Sequence, residues 1–289
     1  MDDLDDRHDM SEGSKHLGRD EQRLAFRHAV PHALVIHEII REQGENELAR
    51  TNLALALSGF AAGLSMGFSF LTQALLQAGL PDAVWRHTLV ALGYSVGFMI
   101  VVMARQQLFT ESTLTAVLPV ITRRDMATAL AAARLWSIVL VTNLLGTWLF
   151  AVLVHLHGIF PPDVTQAMTS LAQQAIPPDL FATFLRAFFA GWLIALMVWI
   201  LPSAQSARLL TIVIITYVVA LAQLSHIVAG SAEAAYDVLS AHATLASYAA
   251  HFMLPTLCGN ICGGVLMVSA LNHGAVASEI HGEAERPKR

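Results

Sequence analysis

Charged side chains are scarce in this chain of 289 residues, at 13%, whereas soluble proteins carry about 25%. Apolar residues make up 55%. This shortage of charge excludes an ordinary water-soluble domain and indicates an integral membrane protein. The charge is also unevenly distributed, because residues 1–50 hold 12 of the 22 acidic and 7 of the 17 basic side chains. The rest of the chain is therefore nearly uncharged.

Cysteine is almost absent, since only Cys258 and Cys262 occur, four residues apart in an apolar run. Two thiols exclude a disulfide framework and make a poor metal site. The histidines show none of the regular pairing that a haem or a metal needs. A nucleophile elbow and a Walker-type phosphate loop are missing as well. We therefore expect no cofactor, no metal, no enzymatic activity and no nucleic acid partner.

Long apolar runs fill the middle of the chain, and a bilayer crossing needs about 20 such residues. Six candidate spans occupy roughly 52–78, 87–121, 134–156, 182–202, 208–241 and 251–272. The expected organisation is a disordered tail, an amphipathic helix ahead of the first span, a transmembrane channel domain and a C-terminal tail, at 1–30, 31–50, 51–273 and 274–289.

The second and fifth spans are too long for one crossing, and polar residues interrupt each of them. The interruptions read Arg105–Glu111 and Ser225–Glu233. Broken membrane helices at matching places in two halves point to a transport site at the bilayer midplane. Three spans per half also force the halves into opposite orientations. The pattern predicts an all-α six-helix bundle with inverted three-helix repeats.

His226 in the second interruption is the foremost candidate, because an ionisable residue inside a span is costly and marks a functional site. Its charge can change near neutral pH, which suits proton-linked passage. The alternative is a neutral imidazole that joins two helices by hydrogen bonds. The break favours a functional role, since unwound backbone at this depth must be buried in protein or line a cavity.

The first interruption supplies further candidates. Thr110 offers a hydroxyl that can serve both a solute and a histidine, while Leu108 and Phe109 fit either an apolar constriction or ordinary packing. Glu111 is expected to cap the restarted half-helix, where the dipole favours a carboxylate. Arg105 is expected to pair with it or to reach the interface.

Loop charge predicts that both termini are cytoplasmic. Arg123, Arg124 and Arg134 are expected between the second and third spans, and Arg208 between the fourth and fifth. Loops rich in arginine stay on the cytoplasmic side of the membrane.

Several segments together resemble the formate/nitrite transporter family, over about residues 31–273. They are Leu108–Thr110, Asn143–Gly146, Gly191–Trp199, Ser225–Ala229 and Gly259–Gly264, the last of which contains Asn260. The sequence of Ala104–Glu111 is most similar to the YfdC-like branch of bacterial inner-membrane proteins.

The resemblance implies an aquaporin-like protomer and a homopentamer with one pore per subunit. Family members pass small monovalent anions such as formate or nitrite, often with a proton. The family's central histidine faces the pore and bonds a threonine, roles that map onto His226 and Thr110. This chain departs from the pattern at Gly191, where an asparagine is usual, near Ala175, where a lysine is absent, and at Glu111, where a small residue is usual.

Three functions remain open on this sequence. The leading one is an inner-membrane conduit for a small monovalent anion or its neutral weak acid, with His226 coupling passage to protonation. The second is a pore for small neutral solutes, which Glu111 and the missing lysine favour. The third is an oligomeric membrane scaffold or sensor with a vestigial pore.

Overall fold

The computed structural model describes Gly18 and residues 33–156 and 158–266. Helices form most of this part of the chain, and no strand occurs in it. The prediction of an all-α protein is therefore confirmed. The expected tails, 1–30 and 274–289, lie outside the described residues apart from Gly18.

The first half of the chain forms seven helices. They are α1 (Ala33–Leu48), α2 (Asn52–Gly79), α3 (Arg86–Gly93), α4 (Ser95–Met103), α5 (Phe109–Thr115), α6 (Val117–Arg123) and α7 (Met126–His155).

The second half continues with α8 (Pro162–Ala172), α9 (Leu180–Ile200), α10 (Arg208–Leu221), α11 (Ala229–Leu239), α12 (Leu245–Ser247), a π-helical segment (Tyr248–Met253) and α13 (Leu254–Val265). The 11-residue helix α8 has no counterpart in the predicted spans.

Four stretches of the described chain are long and apolar enough to cross a bilayer: Asn52–Gly79, Arg86–Met103, Met126–His155 and Leu180–Ile200. The fifth predicted span divides into α10 and α11, as its interruption suggests. The sixth changes from π-helix to α-helix and continues to the end of the described part of the chain.

The third span begins earlier than the predicted residue 134, because Asp125 caps α7. Its carboxylate accepts hydrogen bonds from the Thr128 amide at 2.8 Å and the Thr128 hydroxyl at 2.7 Å. Arg134 therefore lies inside α7 rather than in the preceding loop. Its guanidinium donates to the carbonyls of Leu48 and Arg50 and so ties the end of α1 to the bundle.

Glycines let two pairs of helices cross at short distance, α2 with α7 and α9 with α13. A Cβ atom on Gly63 would overlap the Asn143 carbonyl, and one on Gly263 would overlap the Phe188 carbonyl. Close approach of this kind drives helix association in lipid, where burial of apolar surface offers no advantage. These two crossings place Asn143 and Asn260 beside the interrupted spans.

Helix α1 packs on the bundle through one face and carries charged residues on the other. Ile36 and Ile40 lie in a cluster with Leu118 and Val198. On its polar side, Glu45 pairs with Arg123 at 2.9 Å.

Candidate functional site

The two interruptions begin with the same backbone turn. Helix α4 is followed by Arg105 at φ 52°, and α10 is followed by Gln223 at φ 51°. The next amide in each case bonds back into the helix that has just ended, from Gln106 to the Val101 carbonyl and from Leu224 to the Val219 carbonyl. A left-handed residue with a returning amide is a common way to end a helix. Each span thus ends in an ordered turn.

Asn143 of α7 holds the first interruption. Its Oδ1 accepts from the Phe109 amide at 2.9 Å, and its Nδ2 donates to the carbonyls of Gln107 at 2.9 Å and Gly59 at 2.7 Å. One buried side chain therefore satisfies backbone groups of the loop and joins them to α2.

Asn260 of α13 does the same in the second half. Its Oδ1 accepts from the Ile227 amide at 2.8 Å, and its Nδ2 donates to the carbonyls of Ser225 at 2.9 Å and Ala187 at 2.7 Å. Buried backbone groups need such partners at membrane depth, where water is absent. The two asparagines explain how the helices can break there.

The interruptions are shorter at their far ends than the sequence suggests. Helix resumes at Phe109 and at Ala229, so Glu111 and Glu233 are helical, and the second interruption begins at Ala222. The asparagine oxygens satisfy the amides at Phe109 and Ile227, and the chain can return to helix at or soon after those residues.

Thr110 and His226, predicted to face each other, are in contact. The Thr110 Oγ1 lies 2.8 Å from the His226 Nε2, and both side chains are buried, with His226 only 1% exposed. The Phe98 ring approaches the imidazole edge-on, with ring centroids 5.0 Å apart.

The hydrogen bonds assign the protonation of His226. The Ala229 amide donates to Nδ1 at 3.1 Å, and an amide can only donate. The neutral imidazole therefore carries its proton on Nε2 and donates it to the Thr110 oxygen. The hydroxyl hydrogen of Thr110 is left to bind another acceptor.

Two cavities flank this contact. The large one, of about 900 Å³, is lined by residues that include Leu108 and Glu111. The small one, of about 130 Å³, is lined by residues that include His226 and Gln73. Thr110 lies in the chain between Leu108 and Glu111, which line the large cavity, and its partner His226 lines the small one. The Thr110–His226 contact therefore lies between the two cavities.

The cavities lie at opposite ends of the bundle. On α9, Arg186 lines the small cavity and Val198 the large one; on α10, Ala220 lines the small cavity and Arg208 the large one. Twelve residues of helix separate each pair, which corresponds to about 18 Å. The two cavities and the Thr110–His226 contact therefore line up along the helices.

Glu111 and Arg105 both line the large cavity but do not pair. Glu111 lies in the first turn of α5 without the expected capping hydrogen bond, and its Oε1 is inaccessible and has no hydrogen-bond partner. Among the described residues, none of the ion pairs involves Arg105, whose side chain is exposed.

Two other predicted residues have packing positions. Phe109 contacts the Trp136 ring edge-on, with centroids 5.9 Å apart, and lines neither cavity. Gly191 lies where α9 crosses α13, and a Cβ atom there would overlap the Asn260 backbone. An asparagine at this position would have to displace the residue that holds the second interruption.

Sequence reasoning did not select several polar residues of the cavity walls. Arg186 and Gln73 line the small cavity, and Gln73 Nε2 lies 3.4 Å from the Glu233 carboxylate. Glu47 lines the large cavity and accepts a hydrogen bond from Thr115 at 2.6 Å. Burial raises the pKa of the Glu47 carboxyl. The rarity of polar residues within predicted spans was the available signal for Arg186 and Gln73.

Interrupted membrane helices that bring a polar pair between two opposed cavities define a membrane channel or transporter. A family model described as formate/nitrite transporter matches residues 34–274. The chain therefore belongs to the formate/nitrite transporter family.

Relatives and solved structures agree with this assignment. Inner membrane protein YfdC of Escherichia coli K12 is 39% identical over 96% of this chain and 88% of its own. The formate channel BtFdhC of Bacillus thuringiensis is 23% identical over 79% and 89%.

Two solved structures share the fold. A pentameric formate channel with formate bound has a TM-score of 0.66 at 18% identity, over 80% of this chain and 97% of that one. An ion channel of the same family has a TM-score of 0.71 at 20% identity, over 84% and 98%.

Asn143→Ala and Asn260→Ala should each destabilise the protein and reduce flux, because each leaves buried backbone groups unpaired at about 1–3 kcal/mol apiece. Thermal unfolding of the purified protein in detergent measures the first effect. Gln166→Ala, on the exposed face of α8, is the matched control. Unfolding temperatures equal to that of the control would contradict the anchoring role.

Proposed function

We propose that this protein is an inner-membrane channel or transporter for a small monovalent anion of the formate or nitrite type, or its neutral weak acid. The observation that carries the proposal is the Thr110–His226 hydrogen bond between two cavities at opposite ends of the bundle. A solute that crosses from one cavity to the other has to break this hydrogen bond or move past it.

The chemistry of the contact suits a small hydrogen-bond acceptor. The Thr110 hydroxyl hydrogen is available, and the surroundings are buried and largely apolar, with Leu108 1% exposed and Phe98 fully buried. A bare charge in such surroundings is strongly disfavoured. Passage as a nearly neutral species avoids most of that cost.

Protonation of His226 then depends on the solute. A second proton on the imidazole would sit on Nδ1, facing the Ala229 amide that now donates to it. Such a cation becomes favourable when an anion stands beside it. Proton and anion would therefore pass together, which is how His226 couples passage to protonation.

The relatives support both the proposed membrane location and the proposed class of solute. The relative with 39% identity is described as an inner membrane protein, and a more distant one as a formate channel. A solved structure of the same fold is described as holding formate.

His226→Phe should reduce formate flux into proteoliposomes at least about tenfold, because the ring can neither donate to Thr110 nor share a proton. Thr110→Val should also reduce flux, since it removes the hydroxyl that meets the solute. Uptake of labelled formate between pH 5 and pH 8 is the measurement.

Thr110→Ser is the matched control, because it keeps the hydroxyl and should retain most of the flux. If His226→Phe carries formate at the wild-type rate and with the same pH dependence, the histidine is structural and the proposal is wrong.

We also propose a homopentamer, because a solved structure with this fold is described as pentameric. Exposed apolar residues on the long helices, among them Leu149 and Phe189, are available for lipid and for neighbouring subunits. Native mass spectrometry in mild detergent should give a mass of five chains. A stable monomer or tetramer would speak against it.

Both termini are proposed to be cytoplasmic. Arg123 and Arg124 at the end of α6 and Arg208 at the start of α10 support this orientation, and Arg134, inside α7, ties to the same end of the bundle through Leu48. Reporter fusions at residue 289 and near residue 165 should report opposite compartments. A C-terminal reporter outside the cytoplasm would overturn the orientation.

A further inference from the structure

An arginine stands inside the fourth membrane span, where an ionisable side chain is costly and marks a functional site. Arg186 lies six residues beyond Leu180, the first residue of α9, and so about 9 Å inside the helix. Its side chain lines the small cavity together with His226. Among the described residues, none of the ion pairs within 4 Å includes Arg186.

Arg186 lies at the level of the second interruption. The carbonyl of Ala187, the next residue of α9, accepts a hydrogen bond from the Asn260 Nδ2 at 2.7 Å. The same Nδ2 donates to the Ser225 carbonyl at 2.9 Å, and Ser225 directly precedes His226. One asparagine thus fixes α9 beside the loop that carries the histidine. A solute in the small cavity therefore meets the guanidinium group before it meets the Thr110–His226 contact or together with it.

The other groups of the small cavity leave the guanidinium group available to a solute. Among the described residues of its wall, Arg186 is the one arginine or lysine and Glu233 is the one acidic residue. The Glu233 carboxyl group lies 3.4 Å from the Gln73 Nε2 and forms no ion pair with Arg186 within 4 Å. In the described part of the chain, therefore, no carboxylate neutralises this cation by contact.

The shape of the guanidinium group determines which anions it binds best. The group is planar and carries its N–H donors in pairs, so that two oxygens of one planar anion can each accept a hydrogen bond. Formate and other small carboxylates have this shape, as does nitrite, whereas chloride offers a single atom. A lysine ammonium group in the same place would attract all of these anions as a point charge.

We propose that Arg186 is a specificity-determining residue that binds a planar anion with two oxygens, a small carboxylate or nitrite, in the small cavity before the anion meets the Thr110–His226 contact. This inference rests on the proposed transport function and deepens it, because it names where the anion binds and which shape is favoured.

Binding can be measured on the purified protein in mild detergent, where an anion that binds only the folded chain raises the unfolding temperature. At pH 7.5 the wild type should unfold at a higher temperature in sodium formate than in sodium chloride of the same concentration. Arg186→Gln should lose most of this difference, because it removes both the charge and the paired donors. Arg186→Lys should lose part of it, because it keeps only the charge.

Uptake of labelled formate into proteoliposomes is the second measurement. Arg186→Gln should raise the half-saturating formate concentration about tenfold, near the lower end of what a hydrogen bond to a charged group contributes, because Arg186 is exposed to water. The maximal rate should change little, since the Thr110–His226 contact is unaltered. Chloride should compete with formate better in Arg186→Lys than in the wild type.

Arg86→Gln is the matched control, because it removes an arginine from the same end of the bundle. Arg86 begins α3, whose residues His87 and Val90 line the small cavity, but Arg86 itself does not line it and pairs with Asp82 at 3.5 Å. The control should keep the wild-type preference for formate and the wild-type half-saturating concentration. Arg186→Met is a second uncharged variant, and native mass spectrometry checks that each variant assembles as the wild type does.

Either measurement can overturn the inference. If Arg186→Gln and Arg186→Met keep the wild-type difference between formate and chloride in unfolding, or the wild-type half-saturating concentration, Arg186 does not bind the anion. If Arg186→Lys matches the wild type in both measurements, charge alone suffices and the preference for a planar anion is wrong. The unfolding measurement needs no flux, so a formate preference that is lost with Arg186 supports the inference even where the wild type carries no formate and the proposed transport function fails.

Discussion

A helix that breaks inside a membrane exposes backbone groups that no water can satisfy, and two asparagine side chains resolve that problem here. Asn143 and Asn260 each bond one loop amide, one loop carbonyl and one carbonyl of a crossing helix. The glycine crossings place both asparagines at the loops. Because the loops are fixed in this way, Thr110 and His226 can meet with hydrogen-bond geometry.

The two loops open with the same backbone turn but carry different side chains. Leu108 and His226 each stand three residues after the left-handed residue that ends a helix. One loop thus has an apolar side chain where the other has an imidazole. The repeated backbone supplies the geometry, while this difference leaves a single histidine, which takes its partner, Thr110, from the opposite loop.

The features that the sequence predicted are those marked by polar residues within apolar runs. Both interruptions and His226 stand out as polar residues within apolar runs, whereas Thr110 and the two asparagines lie in the segments that resemble the family. The restart of helix soon after Ile227 and the start of α7 at Met126 depend on hydrogen bonds that the Asn260 Oδ1 and the Asp125 carboxylate accept, and a hydrophobic periodicity does not show them. The place of Glu111 in a cavity wall depends on residues of α1, which are far away in the chain and contribute to the same wall.

The two cavities differ in the charged groups that a solute meets. In the small cavity, Arg186 offers a positive charge, and Gln73 lies beside the Glu233 carboxylate. In the large cavity the arginines share the wall with Glu111, which lies next to Thr110. A neutral imidazole at the centre provides no permanent cation beside Thr110, so the contact offers a solute a hydrogen-bond donor but no fixed positive charge. A bare anion is strongly disfavoured in such buried surroundings, and the contact would therefore suit a solute that passes as a nearly neutral species.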